Sequence, residues 1–242
     1  IQCHGLMALM DAVKADQVDS VRFLKDRRCP LTSDLFNLAA SHGSIRSLQF
    51  LHENGCVWDQ WTCYSAALSG QIECLKYAVE HGCLLILPSV SADQRWNYSN
   101  HFNLQEGPMS LVESTARRKH WDCVEYLILH GFPLTRELTA VCARSQRMDL
   151  AKLAMERGGR VAVEVAVQYA KVGDLEGLTF AFNHGCYPST QILCAAAKNG
   201  QLECLKYASE QGCEWSAEVC EAAARGGHLE CLMYARARGC PW

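Results

Sequence analysis

Fifteen cysteines and nine histidines are the side chains of this 242-residue chain with the greatest potential for chemistry. Thiolates and imidazoles bind zinc, form disulfides or act as nucleophile and base, and each role imposes its own spacing. None of those spacings occurs. The chain has no Cys-x-x-Cys, no His-Glu-x-x-His, no Gly-x-Ser-x-Gly and no glycine-rich phosphate loop with lysine. His42, His81, His130 and His184 fall at expected helix ends, where histidine serves as a surface or capping residue. Neither a catalytic centre nor a cofactor nor a metal is expected, so the chain reads as no enzyme.

The cysteines keep step with something else. Cys29, Cys56, Cys83, Cys186, Cys213 and Cys240 follow a recurring glycine or its equivalent, and Cys74, Cys123, Cys204 and Cys231 recur within a helical segment. Equivalent positions in stacked helices stand roughly 10 Å apart, whereas a disulfide needs Cα atoms within about 7 Å. Pairing within a column is excluded. The columns read as small apolar core positions, which places the protein in a reducing compartment such as the cytoplasm. Adjoining columns, as with Cys56 and Cys63 or Cys213 and Cys220, are the one arrangement left for zinc.

What the cysteines follow is a repeat of 27 residues. Gly70-Gln-Ile-Glu-Cys-Leu-Lys-Tyr-Ala recurs as Gly200-Gln-Leu-Glu-Cys-Leu-Lys-Tyr-Ala and as Gly227-His-Leu-Glu-Cys-Leu-Met-Tyr-Ala. Taking that first residue as origin, the units begin at Asp16, Gly43, Gly70, Lys119, Gln146, Gly173, Gly200 and Gly227. One interval is 49 instead of 27, which puts an insert of about twenty-two residues at 86–107. A fixed period means a stacked unit, so the chain reads as one solenoid over 1–242 with that interruption.

Each unit predicts two helices. Ala39-Ala40, Ala66-Ala67, Ala196-Ala197 and Ala223-Ala224 sit in an Ala-rich first helix that lets a neighbour approach closely. Eleven residues before the origins, Thr32, Asp59, Thr135, Ser189 and Ser216 are N-cap residues, and Glu137, Glu164 and Glu218 follow in the first turn. Ile72, Leu75 and Ala78, with their equivalents Leu202, Leu205 and Ala208, trace one face of a second helix. Gly55, Gly82, Gly131, Gly185, Gly212 and Gly239 would end it. Trp58, Trp215 and Trp242 then wedge between units. No stretch alternates like a strand.

On these residues the pattern resembles the ankyrin repeat, in a short variant with Gly-Cys-Pro-Trp ends like those of protist and large-virus proteins. The match is sharpest from Ala223-Ala224-Arg225-Gly226-Gly227-His228-Leu229-Glu230 to Gly239-Cys240-Pro241-Trp242, and covers nearly the whole chain. The resemblance implies an all-α solenoid of about eight helix-turn-helix units whose first helices line a concave surface, and a role in protein recognition. The family's Thr-Pro-Leu-His opening is absent, and the unit is about six residues short of the usual thirty-three or so, so trimmed loops are expected.

Two irregularities mark where binding would occur. Arg117, Arg144, Lys171, Lys198 and Arg225 stand two residues before successive origins and form a basic ladder suited to an acidic protein partner. The alternative is local charge balance, because Asp122, Asp149, Glu176, Glu203 and Glu230 lie five residues further on. The insert concentrates Trp96, Tyr98 and Phe102, either as a binding hot spot or as anchors folding it back on the stack. Net charge of -3 argues against nucleic acid, and no apolar run is long enough for membrane insertion. Leu229 and Leu232 leave the last helix pair with an apolar face, so further repeats or a covering partner are expected there. A scaffold for protein–protein interaction is the leading reading; a structural subunit built permanently into a large assembly is the alternative.

Overall fold

A computed structural model describes residues 2–58, 61–83 and 111–242. The insert at 86–107, with Trp96, Tyr98 and Phe102, lies outside the described residues, as does the expected cap Asp59. Among the described residues every regular element is an α-helix. The fold class is the expected one, all-α and built of paired helices. First helices are α1 (Gln2–Lys14), α3 (Ser33–His42), α5 (Trp61–Leu68), α7 (Leu111–Arg117), α9 (Arg136–Arg144), α11 (Val163–Val172), α13 (Thr190–Lys198) and α15 (Ala217–Gly226). Second helices are α2 (Val18–Asp26), α4 (Ile45–Glu53), α6 (Ile72–Glu80), α8 (Trp121–Leu129), α10 (Met148–Glu156), α12 (Leu175–Asn183), α14 (Leu202–Glu210) and α16 (Leu229–Ala237).

Two compact units emerge, residues 1–127 and 128–242. Within the first, α1, α3, α5 and α7 pack in succession, and α2, α4 and α6 form a second row. Within the second, α9, α11, α13 and α15 stack in one row, while α12, α14 and α16 stack in the other. Alanine explains the closeness of the first row: Ala39, Ala40, Ala66, Ala67, Ala196 and Ala197 are fully buried. With only a methyl group at the crossing, neighbouring backbones approach without a cavity.

The turn joining first to second helix is where the register is most exacting. All eight origin residues have positive φ, from 53° at Asp16 to 80° at Gly173. Glycine takes that left-handed conformation without strain, whereas Asp16, Lys119 and Gln146 carry a Cβ that crowds the following carbonyl. Glycines likewise follow the second helices, and Gly158 and Arg28 extend that column beyond the positions read from the pattern.

Capping follows the sequence only in part. Thr32, Thr135, Ser189 and Ser216 all stand at the N-cap with extended backbone, yet only Thr135 and Ser189 accept a backbone N–H through their side chains. Ser216 Oγ is buried with no partner among the described residues. Between first and second helices Asp174 is a cap that its neighbours do not share, accepting from the Gly177 N–H at 2.8 Å.

The core is made of leucines and the expected thiols. Leu75 and Leu205 are fully buried, each contributing about 2 kcal/mol of transfer free energy. Cys74, Cys123, Cys204 and Cys231 are 1% exposed, and Cys83, Cys186, Cys213 and Cys240 are buried too. Cys29 and Cys56 depart from the pattern and are only half-buried. Ile72 and Leu202 are half-buried and Leu229 is 66% exposed, so this column belongs to the junction between repeats. Trp58 wedges as expected, 4.6 Å from Phe36 of its own repeat and 6.1 Å from Tyr77 of the next. Trp215 does the same with Tyr234 at 6.2 Å.

Candidate functional site

The basic column is positioned by the last turn of each first helix, where cations offset the negative end of the helix dipole. Arg117, Arg144, Lys171, Lys198 and Arg225 are all exposed there. Arg117 belongs to the first unit, and the other four stand in register in the second.

In the second unit the column is one edge of a face. Counting back from each base by four and by seven gives residues that share a helix side: Val167 and Glu164 on α11, Cys194 and Gln191 on α13, Glu221 and Glu218 on α15. Seven residues at the helical rise put the two edges about 10 Å apart. One edge is basic. The other is acidic at Glu137, Glu164 and Glu218, and broken by the neutral Gln191 on α13.

Three of the five bases meet an acid, none of them the acid five residues on. Arg117 Nη2 donates to Glu113 at 3.2 Å, one turn back on α7. Arg144 binds Glu137 of its own helix and reaches Glu164 on α11 at 3.2 Å, tying adjacent repeats together. Arg225 stands 3.7 Å from Glu221. The acids five residues on from the ladder have other attachments. Asp149 is held by Arg147 at 2.6 Å, and that hydrogen bond keeps its carboxyl below the usual range. Glu203 pairs with Lys206 at 2.7 Å along α14, which raises the lysine pKa.

Lys171 and Lys198 are different. Among the described residues neither takes part in an ion pair. For Lys171 the reason lies in the helix: the positions that Arg144 uses, seven back on its own helix and the equivalent place on the next, are the already engaged Glu164 and the uncharged Gln191. For Lys198 they are Gln191 and Glu218. Helix α13 contains no acid at all. Cys194, one turn before Lys198 on α13, is half-buried, its thiol pKa raised by burial and then by Glu218.

The thiols make no metal centre that the described residues reveal. No group of three or more His, Cys, Asp or Glu side chains is placed to hold an ion among them. Cys220 does not turn toward Cys213, the pairing considered from sequence. Its S–H donates to Cys240 Sγ at 3.1 Å within the same repeat. Sequence reasoning missed this contact, whose signal was two columns twenty residues apart that both hold cysteine.

The first unit carries an aromatic cluster that the periodicity did not single out. His52 lies 4.4 Å from Trp58 and 5.3 Å from His81, which stacks on Tyr77 at 4.0 Å; His52 Nδ1 is 3.0 Å from Tyr77 Oη. Its rings come from α4, from α6 and its C-cap His81, and from the connector after α4. The cluster cements two repeats.

No protein-family model and no curated protein matches the chain. Among solved structures it is similar to the human ASB11 ankyrin repeat domain, at 17% identity and a TM-score of 0.48, over 93% of this chain and 96% of that one.

Proposed function

We propose that this protein is a non-catalytic scaffold for protein–protein interaction. Its binding residues are Arg117 on the first-helix row of the first unit, Arg144, Lys171, Lys198 and Arg225 on that of the second, and the insert bearing Trp96, Tyr98 and Phe102. The observation that carries this reading is the in-register exposure of Arg144, Lys171, Lys198 and Arg225 on successive first helices of the second unit, while the core behind them is closed by alanine and leucine. Aligned charges on a repeat stack suit an extended or broad acidic protein surface, and no cofactor is part of the function. The thiols are all free among the described residues, in keeping with a reducing intracellular compartment. No helix among the described residues is long and apolar enough to cross a membrane.

Crosslinking and pull-down with the wild-type chain and with a variant reversed at Arg144, Lys171 and Lys198 test the face. Loss of the captured partners supports it, and unchanged capture overturns it. Deletion of 86–107 tests the insert in the same way, with a thermal melt to show that the stack survives.

A second reading has its own support. Phe23 on α2, and Leu229 and Met233 on α16, are 57%, 66% and 63% exposed. Apolar second-helix surface of that kind suits a subunit built permanently into a large assembly. Partners that stay bound through high salt, and dissociate when Leu229 and Met233 are changed to Ser, would favour it over the scaffold.

A further inference from the structure

The geometry points to Lys171 and Lys198 as a two-carboxylate subsite that takes an extended acidic peptide across α11 and α13, with its acidic residues three apart. This deepens the scaffold reading and rests on it. The argument begins with which charges are already satisfied. Arg144 is engaged twice, by Glu137 and Glu164, and Arg225 lies beside Glu221. A partner's carboxylate at either place would have to displace a carboxylate already present. Lys171 and Lys198 take part in no ion pair among the described residues, and both are exposed; the one acid at the place corresponding to Glu164 for Arg144 is Glu218, on the helix after Lys198.

The spacing follows from the stack. Adjacent packed helices stand about 8–10 Å apart, and the two lysines occupy the same place on neighbouring helices. A chain in the polyproline II conformation advances about 3.1 Å per residue with three residues per turn, so residues i and i+3 lie on one face about 9 Å apart. Carboxylates at i and i+3 therefore meet both ammonium groups, whereas adjacent carboxylates meet only one. Val172, directly after Lys171 and 68% exposed, offers an apolar contact beside the charges.

Gln191 is the residue that keeps the subsite open. A carboxylate there would complete the acidic edge between Glu164 and Glu218 and sit where each lysine can reach it. Gln191→Glu should therefore close the subsite from within while leaving both lysines in place. It should not harm folding, because an acid in the first turn of α13 faces the positive end of the helix dipole.

The probe is a fluorescein-labelled Gly/Ser decapeptide with Asp at its fourth and seventh positions, titrated with the 242-residue chain at low salt and followed by anisotropy. Binding should weaken about threefold to tenfold in each of Lys171→Gln, Lys198→Gln and Gln191→Glu. It should also weaken when the two Asp residues are moved next to one another, and fall with added salt. Lys76→Gln, on α6 and outside the proposed face, should bind like wild type. If Gln191→Glu binds like wild type, the two-lysine subsite is wrong while the scaffold reading stands. If a ten-nucleotide oligothymidine competes as well as the peptide, the lysines attract any anion, and the peptide assignment is overturned. If the peptide does not bind and the triple reversal also leaves captured partners unchanged, both readings fail. A thermal melt of every variant separates lost binding from lost fold.

Discussion

The imidazole of His228 occupies the space that a Cβ on Gly200 would need, its Nδ1 2.6 Å from that position. The turn of one repeat is thus roofed by the residue that begins the second helix of the next. His120 covers Gly70 in the same way, while Gln71 and Gln201 cover Gly43 and Gly173. Glycine is required at these turns twice over, for its φ and for the close approach.

Gly227 separates the two requirements. Its φ is 75°, but a Cβ there would meet nothing within 4 Å. Gly227→Ala should cost only the left-handed penalty, about 1 kcal/mol, whereas Gly200→Ala adds displacement of His228 and should cost at least about twice as much. Urea unfolding of the two variants measures this. Equal losses would show that the imidazole moves aside freely.

Non-glycine turns make the opposite prediction. Gln146 holds φ 60° with a Cβ, so Gln146→Gly should stabilise the chain by about 0.5–1 kcal/mol, once the added freedom of glycine in the unfolded state is subtracted. Asp16 has the same conformation but accepts the Ser47 N–H at 2.7 Å. Asp16→Gly loses that hydrogen bond and should not gain. Matching stabilisation in both variants would remove the role assigned to the Asp16 carboxylate.

The turns were legible because periodicity averages over residue type: Asp16, Lys119 and Gln146 were placed by their distance from Gly43 and Gly173, although nothing about them suggests a left-handed residue. The ion pairs were not legible for the converse reason. Which acid Arg144 meets depends on how far a long side chain extends along and across the face, and Glu164 lies twenty residues away in sequence. Offsets within one repeat suggested Asp149, which the nearer Arg147 holds instead. Burial within a column was not uniform: Leu229 repeats Leu202 in sequence but is exposed, with no following helix pair over it among the described residues, and Cys56 is half-buried where Cys83 is buried. Caps failed in part because Ser216 has the right residue type and backbone, while its hydroxyl makes no capping bond.

Buried thiols make the fold sensitive to alkali. Burial, chiefly, pushes the Cys74 and Cys142 thiols up to about 12, against an ordinary value of 9.0. Below pH 9 both folded and unfolded chains hold these protons, and the contribution to stability is fully present. Between about pH 9 and pH 12 the unfolded chain ionises while the folded one does not, so stability falls as pH rises through that window. Urea midpoints taken from pH 7 upward should decline beyond pH 9, and less steeply in Cys74→Ala and Cys142→Ala. In the native chain at neutral pH, iodoacetamide should label Cys29, Cys56 and Cys194, which are half-buried, before Cys74 and Cys142. Early labelling of Cys74 would contradict the closed core.

Cys220 and Cys240 offer a sharper test of how the columns are placed. Cys240 S–H donates to the Ser216 carbonyl at 3.1 Å while Cys220 S–H donates to Cys240, so the sulfurs are held against one another at the end of the last repeat. Diamide should crosslink this pair: two thiols give up two protons and two electrons, one S–S bond forms, and the azo group is reduced to a hydrazine. Burial raises the Cys240 thiol pKa, so thiolate is scarce at neutral pH and the reaction should be slow there and faster at pH 9. Closing a loop of about twenty residues should then raise stability by about 3 kcal/mol if the bond forms without strain. Cys63 and Cys83 occupy the same two columns in the third repeat and are both buried, so a second crosslink is expected between them. Peptide mapping by mass spectrometry distinguishes these products from same-column pairs such as Cys213 with Cys240. Recovery of that same-column bond would mean that the helices do not keep the spacing on which the repeat reading depends.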